Sequence, residues 1–183
     1  MKIFGIDPGS DRTGYGCVER IGGRHRLVIC GSLAGPARAD FPDKLKAIHA
    51  GLVALLARHR PDCVAVENIF YARNVRSALK LGHARGVALL AASESGLPIV
   101  EYAPAEIKRA VVGYGRAEKH QVQQMVKLLL GLDAPPSPHD VADALAVAIC
   151  HLQTCSGAIA SAIGAGGGGP GRHPRSWRAY RPS

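Results

Sequence analysis

The chain opens with the residues MKIFGIDPGS, numbered 1–10, which join a short apolar run to a turn. The run at residues 3–6 has the length and composition of a strand, and the Asp-Pro-Gly-Ser sequence that follows it is characteristic of turns. A second apolar run, CVAV at residues 63–66, also ends at an acid. Unbroken apolar runs of this kind are typical of strands that are buried on both faces. The two stretches predict strands that carry Asp7 and Glu67 at their carboxyl ends.

The segments around these two strands predict an α/β fold. Residues 14–19 and 26–33 have the composition of two further strands, joined by a hairpin at Gly22-Gly23. The apolar period then changes to that of a helix between residues 42 and 61. After the strand at 63–66 we expect a helix over 75–95, a strand over 97–102, and helices over 104–112, 117–130 and 138–152. This order predicts a mixed five-stranded sheet, with a three-stranded antiparallel meander plus two parallel strands, flanked by helices.

The charge balance favours an acidic partner. The chain has 23 Lys and Arg against 14 Asp and Glu, a net charge of +9. Such an excess favours nucleic acid, because each cation that meets a phosphate releases a condensed counterion. The five cysteines show no C-x-x-C spacing, and the amino terminus lacks a signal-peptide pattern. No apolar run is long enough to span a bilayer. We therefore expect a cytoplasmic protein with reduced thiols.

The composition changes beyond Cys155. Residues 156–183 contain a glycine run, four arginines and no acid, so the rest of the chain keeps a net charge of about +5. A segment of this composition cannot bury enough apolar surface to offset its chain entropy. We therefore expect one α/β domain over residues 1–155 and a disordered, Gly/Arg-rich tail over 156–183.

Asp7 and Glu67 are the first candidate site residues. If the strands that carry them pair in parallel, the chain connections diverge between the two strands, and ligands bind at the carboxyl ends of strands at such a point. Each acid also has an ordinary explanation. Asp-Pro-Gly is common in turns, and an acid at a strand end is commonly a surface residue. Their shared placement favours a common site.

A third acidic element is DVADALA at residues 140–146. Ser137 is a candidate N-cap for this helix, which would make Asp140 a capping-box acid. That explanation does not extend to Asp143, which lies among apolar residues, shares a helix face with Asp140 and has no basic neighbour along the helix. A buried carboxylate is costly unless it is neutralised or binds a cation. Oxygen ligands without a cysteine cluster indicate Mg²⁺ or Mn²⁺.

With these residues in view, the chain closely resembles the RuvC family of crossover junction endodeoxyribonucleases. The resemblance covers about residues 1–152 and excludes the tail. It is carried by GIDPGS at 5–10, TGYG at 13–16, ENIF at 67–70, SALKLG at 77–82, ARG at 84–86, VVG at 111–113, AEK at 117–119 and DVADALA at 140–146.

The resemblance implies a ribonuclease H-like fold and metal-dependent cutting of four-way (Holliday) junctions in recombination and repair. It implies a homodimer that works with a branch-migration motor of the RuvA and RuvB type, and a preference for a short T-rich sequence. Two Mg²⁺ ions per site are expected, with Mn²⁺ as a substitute. The family's functional residues fall on the catalytic, metal-binding acids Asp7, Glu67, Asp140 and Asp143, the catalytic and DNA-binding lysines Lys108 and Lys119, and the base-stacking Phe70.

Several of these residues have alternative explanations that involve no function. Phe70 could pack into the core, the two lysines could be solvated surface residues, and His139 could be a ligand, a base or a surface side chain. The small residues Ala78, Gly82 and Gly86 form either a dimer contact or a surface that packs on the sheet. Rival functions are an actin-like ATPase or sugar kinase, whose phosphate loop also contains Asp-x-Gly and Thr-Gly, and a module that holds junctions without cutting them.

Overall fold

The computed structural model describes residues 1–68 and 74–164, with residues 156–164 described by their backbone alone. Ten elements occur in these ranges. The strands are β1 (Lys2–Asp7), β2 (Thr13–Ile21), β3 (Arg24–Leu33), β4 (Cys63–Glu67) and β5 (Ile99–Tyr102). The helices are α1 (Phe41–His59), α2 (Val75–Glu94), α3 (Pro104–Val112), α4 (Lys119–Leu130) and α5 (His139–Gly164).

The five strands form one mixed sheet in the order β3-β2-β1-β4-β5. β1, β2 and β3 pair antiparallel, and the hairpin between β2 and β3 contains Gly22 and Gly23, both at positive φ. β4 pairs in parallel with β1 on one side and with β5 on the other. The predicted meander plus two parallel strands is therefore confirmed, and the connections diverge between β1 and β4 as the acid-terminated runs suggested.

Helices cover both faces of the sheet and enclose two apolar cores. One core lies between the sheet and α1 with α2, and Phe4, Val64, Leu52 and Ala88 belong to it. The other lies between the sheet and α3, α4 and α5. The alternation of side chains along each strand explains the division, since Phe4 and Ile3 face opposite sides. Because β1 and β4 are covered on both faces, their sequences are almost entirely apolar until the terminal acid.

Glycines in β1 and β2 allow α5 to approach the sheet at backbone contact. A Cβ atom on Gly5 would overlap the carbonyl oxygen of Ala144, and one on Gly14 would overlap that of Asp140. A Cβ on Gly16 would meet the side chain of Leu145. The facing helix residues are small or tightly packed, and Ala144 and Leu145 are fully buried. Any larger residue at these strand positions would move α5 outward.

Some element bounds differ from the predicted ones. β5 begins at Ile99 because Pro98 has no N–H to donate to a ladder. α4 begins at Lys119, since Glu118 forms a capping box in which its backbone N–H donates to Gln121 Oε1 at 2.8 Å. α5 begins at His139 rather than at Pro138, and the Ser137–Pro138 peptide is cis. Because α5 begins at His139, Pro138 directly precedes the helix, and the expected cap at Ser137 is wrong.

The expected boundary at residue 155 also differs, because α5 continues to Gly164. Residues 156–164, which the sequence placed in the tail, therefore have a helical backbone. Residues 165–183, which hold all four tail arginines, lie outside the described part of the chain. Within the described ranges, no helix is long and apolar enough to span a membrane.

The contact between α5 and β1 yields a stability prediction. Gly5→Ala should lower the free energy of unfolding by about 1–3 kcal/mol, because its methyl group would displace the α5 backbone in a closely packed core. Urea unfolding followed by circular dichroism measures the change. An unfolding free energy equal to that of the wild type would show that α5 can move outward without cost.

Candidate active site

Two of the predicted acids meet at the carboxyl ends of adjacent strands. β1 and β4 run in parallel with Ile6 opposite Val66, so Asp7 and Glu67 follow at the same edge of the sheet. Both side chains are partly buried, and that of Glu67 lies within hydrogen-bonding reach of Asp7. The predicted convergence of these two acids is present in the structure because the parallel pairing places both strand ends together.

Helix α5 brings the other two acids to the same edge. Asp7 lies opposite Gly14 in the β1–β2 ladder, and the absent side chain of Gly14 leaves room for the Asp140 backbone. Asp143, one helical turn further along, faces the same way. Both aspartates are partly buried, and each interacts electrostatically with Asp7. The four acids therefore come from three elements, β1, β4 and the first turns of α5.

The concentration of carboxylates makes ionisation of Asp7 unfavourable. Burial raises the pKa of Asp7 from its ordinary value of 3.8 to about 8, and repulsion by Glu67 and Asp143 adds to the shift. Burial followed by repulsion from Asp143 also raises the pKa of Glu67. The pKa of Asp143 is raised by burial. A site with this charge distribution favours a cation, because a cation stabilises the ionised form of every carboxylate near it.

Two lysines partly offset this negative charge. The Nζ atom of Lys119, at the first position of α4, lies 3.6 Å from Oδ2 of Asp143. The side chain of Lys119 is 71% exposed, whereas that of Asp143 is 21% exposed. Lys108 in α3 is half-buried and acts electrostatically on Glu67, where it lowers the carboxyl pKa against the effect of burial. Both predicted lysines therefore lie beside the acids.

The donor chemistry fits a hard divalent cation. Carboxylate oxygens are the ligands that Mg²⁺ and Mn²⁺ prefer, and the mutual repulsion of Asp7, Glu67 and Asp143 is what such an ion relieves. The described residues contain no group of three or more His, Cys, Asp or Glu side chains that closes into a ready metal cluster. Asp7, Glu67, Asp140 and Asp143 nonetheless act on one another electrostatically, so they are the residues that would hold such a cation.

The other predicted site residues have different outcomes. Phe70 lies outside the described residues, as does the rest of the segment 69–73. His139 is exposed at the start of α5, consistent with a surface side chain. Sequence reasoning missed the ion pair of Asp143, because Lys119 comes from another helix. It also missed the role of Gly14, whose only signal was its place in the TGYG motif at residues 13–16.

Comparisons with known proteins agree with this geometry. The family model of crossover junction endodeoxyribonuclease RuvC matches residues 3–151. The RuvC of Desulforamulus reducens is 51% identical over 156 residues, which span 85% of this chain and 96% of that protein. The RuvC of Pelotomaculum thermopropionicum is 53% identical over 153 residues, or 84% of this chain and 93% of that protein.

A solved structure supports the same assignment. Thermus thermophilus RuvC in complex with a Holliday junction substrate superposes with a TM-score of 0.81 and 37% identity, covering 86% of this chain and 96% of that one. The ribonuclease H-like fold expected from the resemblance is thereby confirmed. The family model, these relatives and this structural match together show that the chain belongs to the RuvC family of crossover junction endodeoxyribonucleases.

Proposed function

We propose that this protein resolves four-way DNA junctions by metal-dependent hydrolysis of phosphodiester bonds, during recombination and repair. The observation that carries the proposal is the meeting of Asp7, Glu67, Asp140 and Asp143 at one sheet edge, in a chain of the RuvC family. An actin-like kinase or ATPase is disfavoured, since the RuvC family model matches residues 3–151. A module that only holds junctions would not require four neighbouring acids, three of which have carboxyl pKa values raised by burial.

The four acids are the groups that would hold the metal, which we take to be Mg²⁺, with Mn²⁺ as a substitute. When bound, two divalent ions supply Lewis-acid activation of water and of the scissile phosphate. Asp7, at the junction of β1 with its turn, is central because Glu67, Asp140 and Asp143 all act on it. Rigid strand ends and a packed helix hold these carboxylates, so little rearrangement is needed when the substrate arrives.

Lys108 and Lys119 would neutralise charge and contact the DNA backbone. Both lie beside acids, and Lys119 is exposed enough to reach a phosphate while it remains within 3.6 Å of Asp143. Without such cations the carboxylates would repel the substrate. Phe70, which follows Glu67 in the ENIF motif, would stack on an unpaired base at the strand exchange point. The arginines of residues 165–183 would add contacts with phosphates.

A homodimer is supported by the outer face of α2. Val75, Leu79 and Leu90 are 77%, 61% and 51% exposed, and they recur at helical spacing with Gly82 and Gly86. A Cβ atom on either glycine would meet nothing within 4 Å among the described residues. These glycines therefore do not pack on the sheet, which was one of the two explanations considered. A second copy of α2 could approach closely along this apolar stripe.

Two further assignments follow from the family and the composition. A branch-migration motor of the RuvA and RuvB type is the proposed partner on the junction. The five cysteines are free, and Cys17, Cys63 and Cys150 are buried, which supports a reducing compartment such as the cytoplasm.

The four acids give the principal test. Asp7→Asn, Glu67→Gln, Asp140→Asn and Asp143→Asn should each reduce cleavage of a labelled synthetic four-way junction in Mg²⁺ by at least about 100-fold, while junction binding stays largely intact. The acids organise metal, whereas cations and shape supply affinity. Asp43→Asn, at an exposed position in α1, is the matched control and should cut normally. Near-normal cleavage by any one site variant would exclude that acid from the machinery.

The raised pKa of Asp7 predicts a pH dependence of the metal-free protein. The folded state holds a proton on Asp7 up to about pH 8, whereas the unfolded chain releases it near pH 4, so the free energy of unfolding should fall as pH rises between these values. Asp7→Asn should flatten this decline, and saturating Mg²⁺ should stabilise the wild type at pH 8. Thermal unfolding at pH 5 and pH 8 measures both effects. A variant with the same decline as the wild type would contradict the assignment to Asp7.

The α2 stripe predicts a dimerisation variant. Gly82→Arg should shift the protein from dimer to monomer in sedimentation velocity, because a charged side chain would stand where the second helix has to approach. The monomer should keep its fold, since the new side chain meets no described atom. Ala54→Arg, on the exposed side of α1, is the control and should remain dimeric. A dimeric Gly82→Arg protein would place the interface elsewhere.

A further inference from the structure

The position of Glu67 depends on its neighbour β5. Val66 lies opposite Glu101 and Glu67 lies opposite Tyr102 in the β4–β5 ladder, and Asn68 N–H donates to the carbonyl oxygen of Tyr102 at 2.7 Å. β5 is only four residues long and forms the edge of the sheet. An edge strand has a ladder on one side alone, so its placement depends on side-chain contacts with the helices that cover it.

On one face of the sheet, β5 is held by α2. The Nη2 atom of Arg85 lies 2.6 Å from Oε2 of Glu101, and the two side chains are 18% and 29% exposed. The Nε atom of Arg85 is buried and has no hydrogen-bond partner within the described residues. The guanidinium is therefore tied to β5 through its Nη2 atom. Because the pair is partly buried, removal of one partner would leave the other charge poorly compensated.

On the opposite face, β5 is held by α5. The hydroxyl of Tyr102 and Nδ1 of His151 lie 2.8 Å apart, and both residues are buried, with 7% and 6% exposure. Their rings also meet edge to face. Because Glu101 and Tyr102 are consecutive, their side chains point to opposite faces of the sheet, and the two contacts hold β5 from both faces. They do so at the two positions that lie opposite Val66 and Glu67.

We propose that Arg85 and His151 are positioning residues that fix β5 from its two faces and thereby set the position of the Glu67 carboxylate. This inference rests on the proposed role of Glu67 in the nuclease site. Neither residue needs to touch substrate or metal. Both act through Glu101 and Tyr102, and through the bond from Tyr102 to Asn68. Small displacements of a catalytic group have large effects on rate, so a loosened β5 would reduce cleavage more than it reduces stability.

The test uses Arg85→Met and Tyr102→Phe in the full-length protein. Each removes one polar contact while it keeps most of the side-chain volume. Arg26→Met is the control, because Arg26 lies 2.7 Å from Glu19 in a more exposed ion pair on β3 and β2, at the other edge of the sheet from β5. The measurements are the cleavage rate at saturating junction, junction affinity in EDTA, direct titration with Mn²⁺ and sedimentation velocity.

Arg85→Met and Tyr102→Phe should each slow cleavage about tenfold and weaken Mn²⁺ binding, with junction affinity in EDTA changed less than about twofold. Arg26→Met should match the wild type in all four measurements. The reversed pair, Arg85→Glu with Glu101→Arg, should recover part of the lost rate and Mn²⁺ affinity. If Arg85→Met fails to fold, Tyr102→Phe decides alone, since it deletes a single oxygen atom.

Three outcomes would overturn the proposal. Wild-type rate and Mn²⁺ affinity in both variants would show that β5 needs neither contact. A loss that coincides with dissociation to monomers would assign Arg85 to the dimer contact instead. An equal loss in Arg26→Met would reveal a general effect of charge. By contrast, normal cleavage by Glu67→Gln would refute the proposed function itself, and this inference with it.

Discussion

Helix α5 lies so close to β1 and β2 that three glycine positions in these strands, Gly5, Gly14 and Gly16, have no room for a Cβ atom. Gly5 and Gly14 meet the carbonyl oxygens of Ala144 and Asp140, so the helix backbone itself is the packing surface. The remaining features of the site depend on this approach. Asp140 and Asp143 lie in the first turns of α5, and a helix held at the usual distance for larger side chains would carry both acids away from Asp7 and Glu67. The absence of side chains at these glycines therefore allows Asp140 and Asp143 to reach the other two acids.

The close approach of α5 to the sheet also brings like charges together. Partly buried carboxylates from β1, β4 and α5 face one another, and burial with mutual repulsion raises the pKa of Asp7 to about 8. Lys119 and Lys108 come from α4 and α3, two helices that pack on α5 and hold them at the rim. The helices on this face thus provide two of the four acids, Asp140 and Asp143, and both lysines. This concentration of carboxylates would suit divalent cations, whose positive charge offsets the repulsion.

The opposite face of the sheet is organised differently. α1 and α2 cover β1, β4 and β5 with apolar residues, while the outer side of α2 remains open at Gly82 and Gly86. Arg85 lies between these two glycines along the chain and is turned toward Glu101 on β5. One helix therefore joins the proposed dimer contact to the edge strand beside Glu67. In a dimer this connection would link the presence of the second subunit to the geometry of the site.

The sequence alone determined most of the architecture, because apolar periodicity and turn residues depend only on neighbours along the chain. The apolar runs that end at Asp7 and Glu67, the helical periods and the glycine hairpin at residues 22–23 predict the elements and their order, and turn and helix signals locate most of their ends. The acids were also recognisable, since a carboxylate such as Asp143 within an apolar helix is unfavourable unless it has a functional role.

The tertiary structure decided the features that depend on contacts between segments far apart in the chain. It brought Lys119 to Asp143 and placed the Asp140 backbone against Gly14. It also extended α5 to Gly164 and left Gly82 and Gly86 of α2 without packing contacts among the described residues. None of these follows from local pattern, because a side chain's partner across a fold is set by the packing of whole elements rather than by its neighbours in sequence.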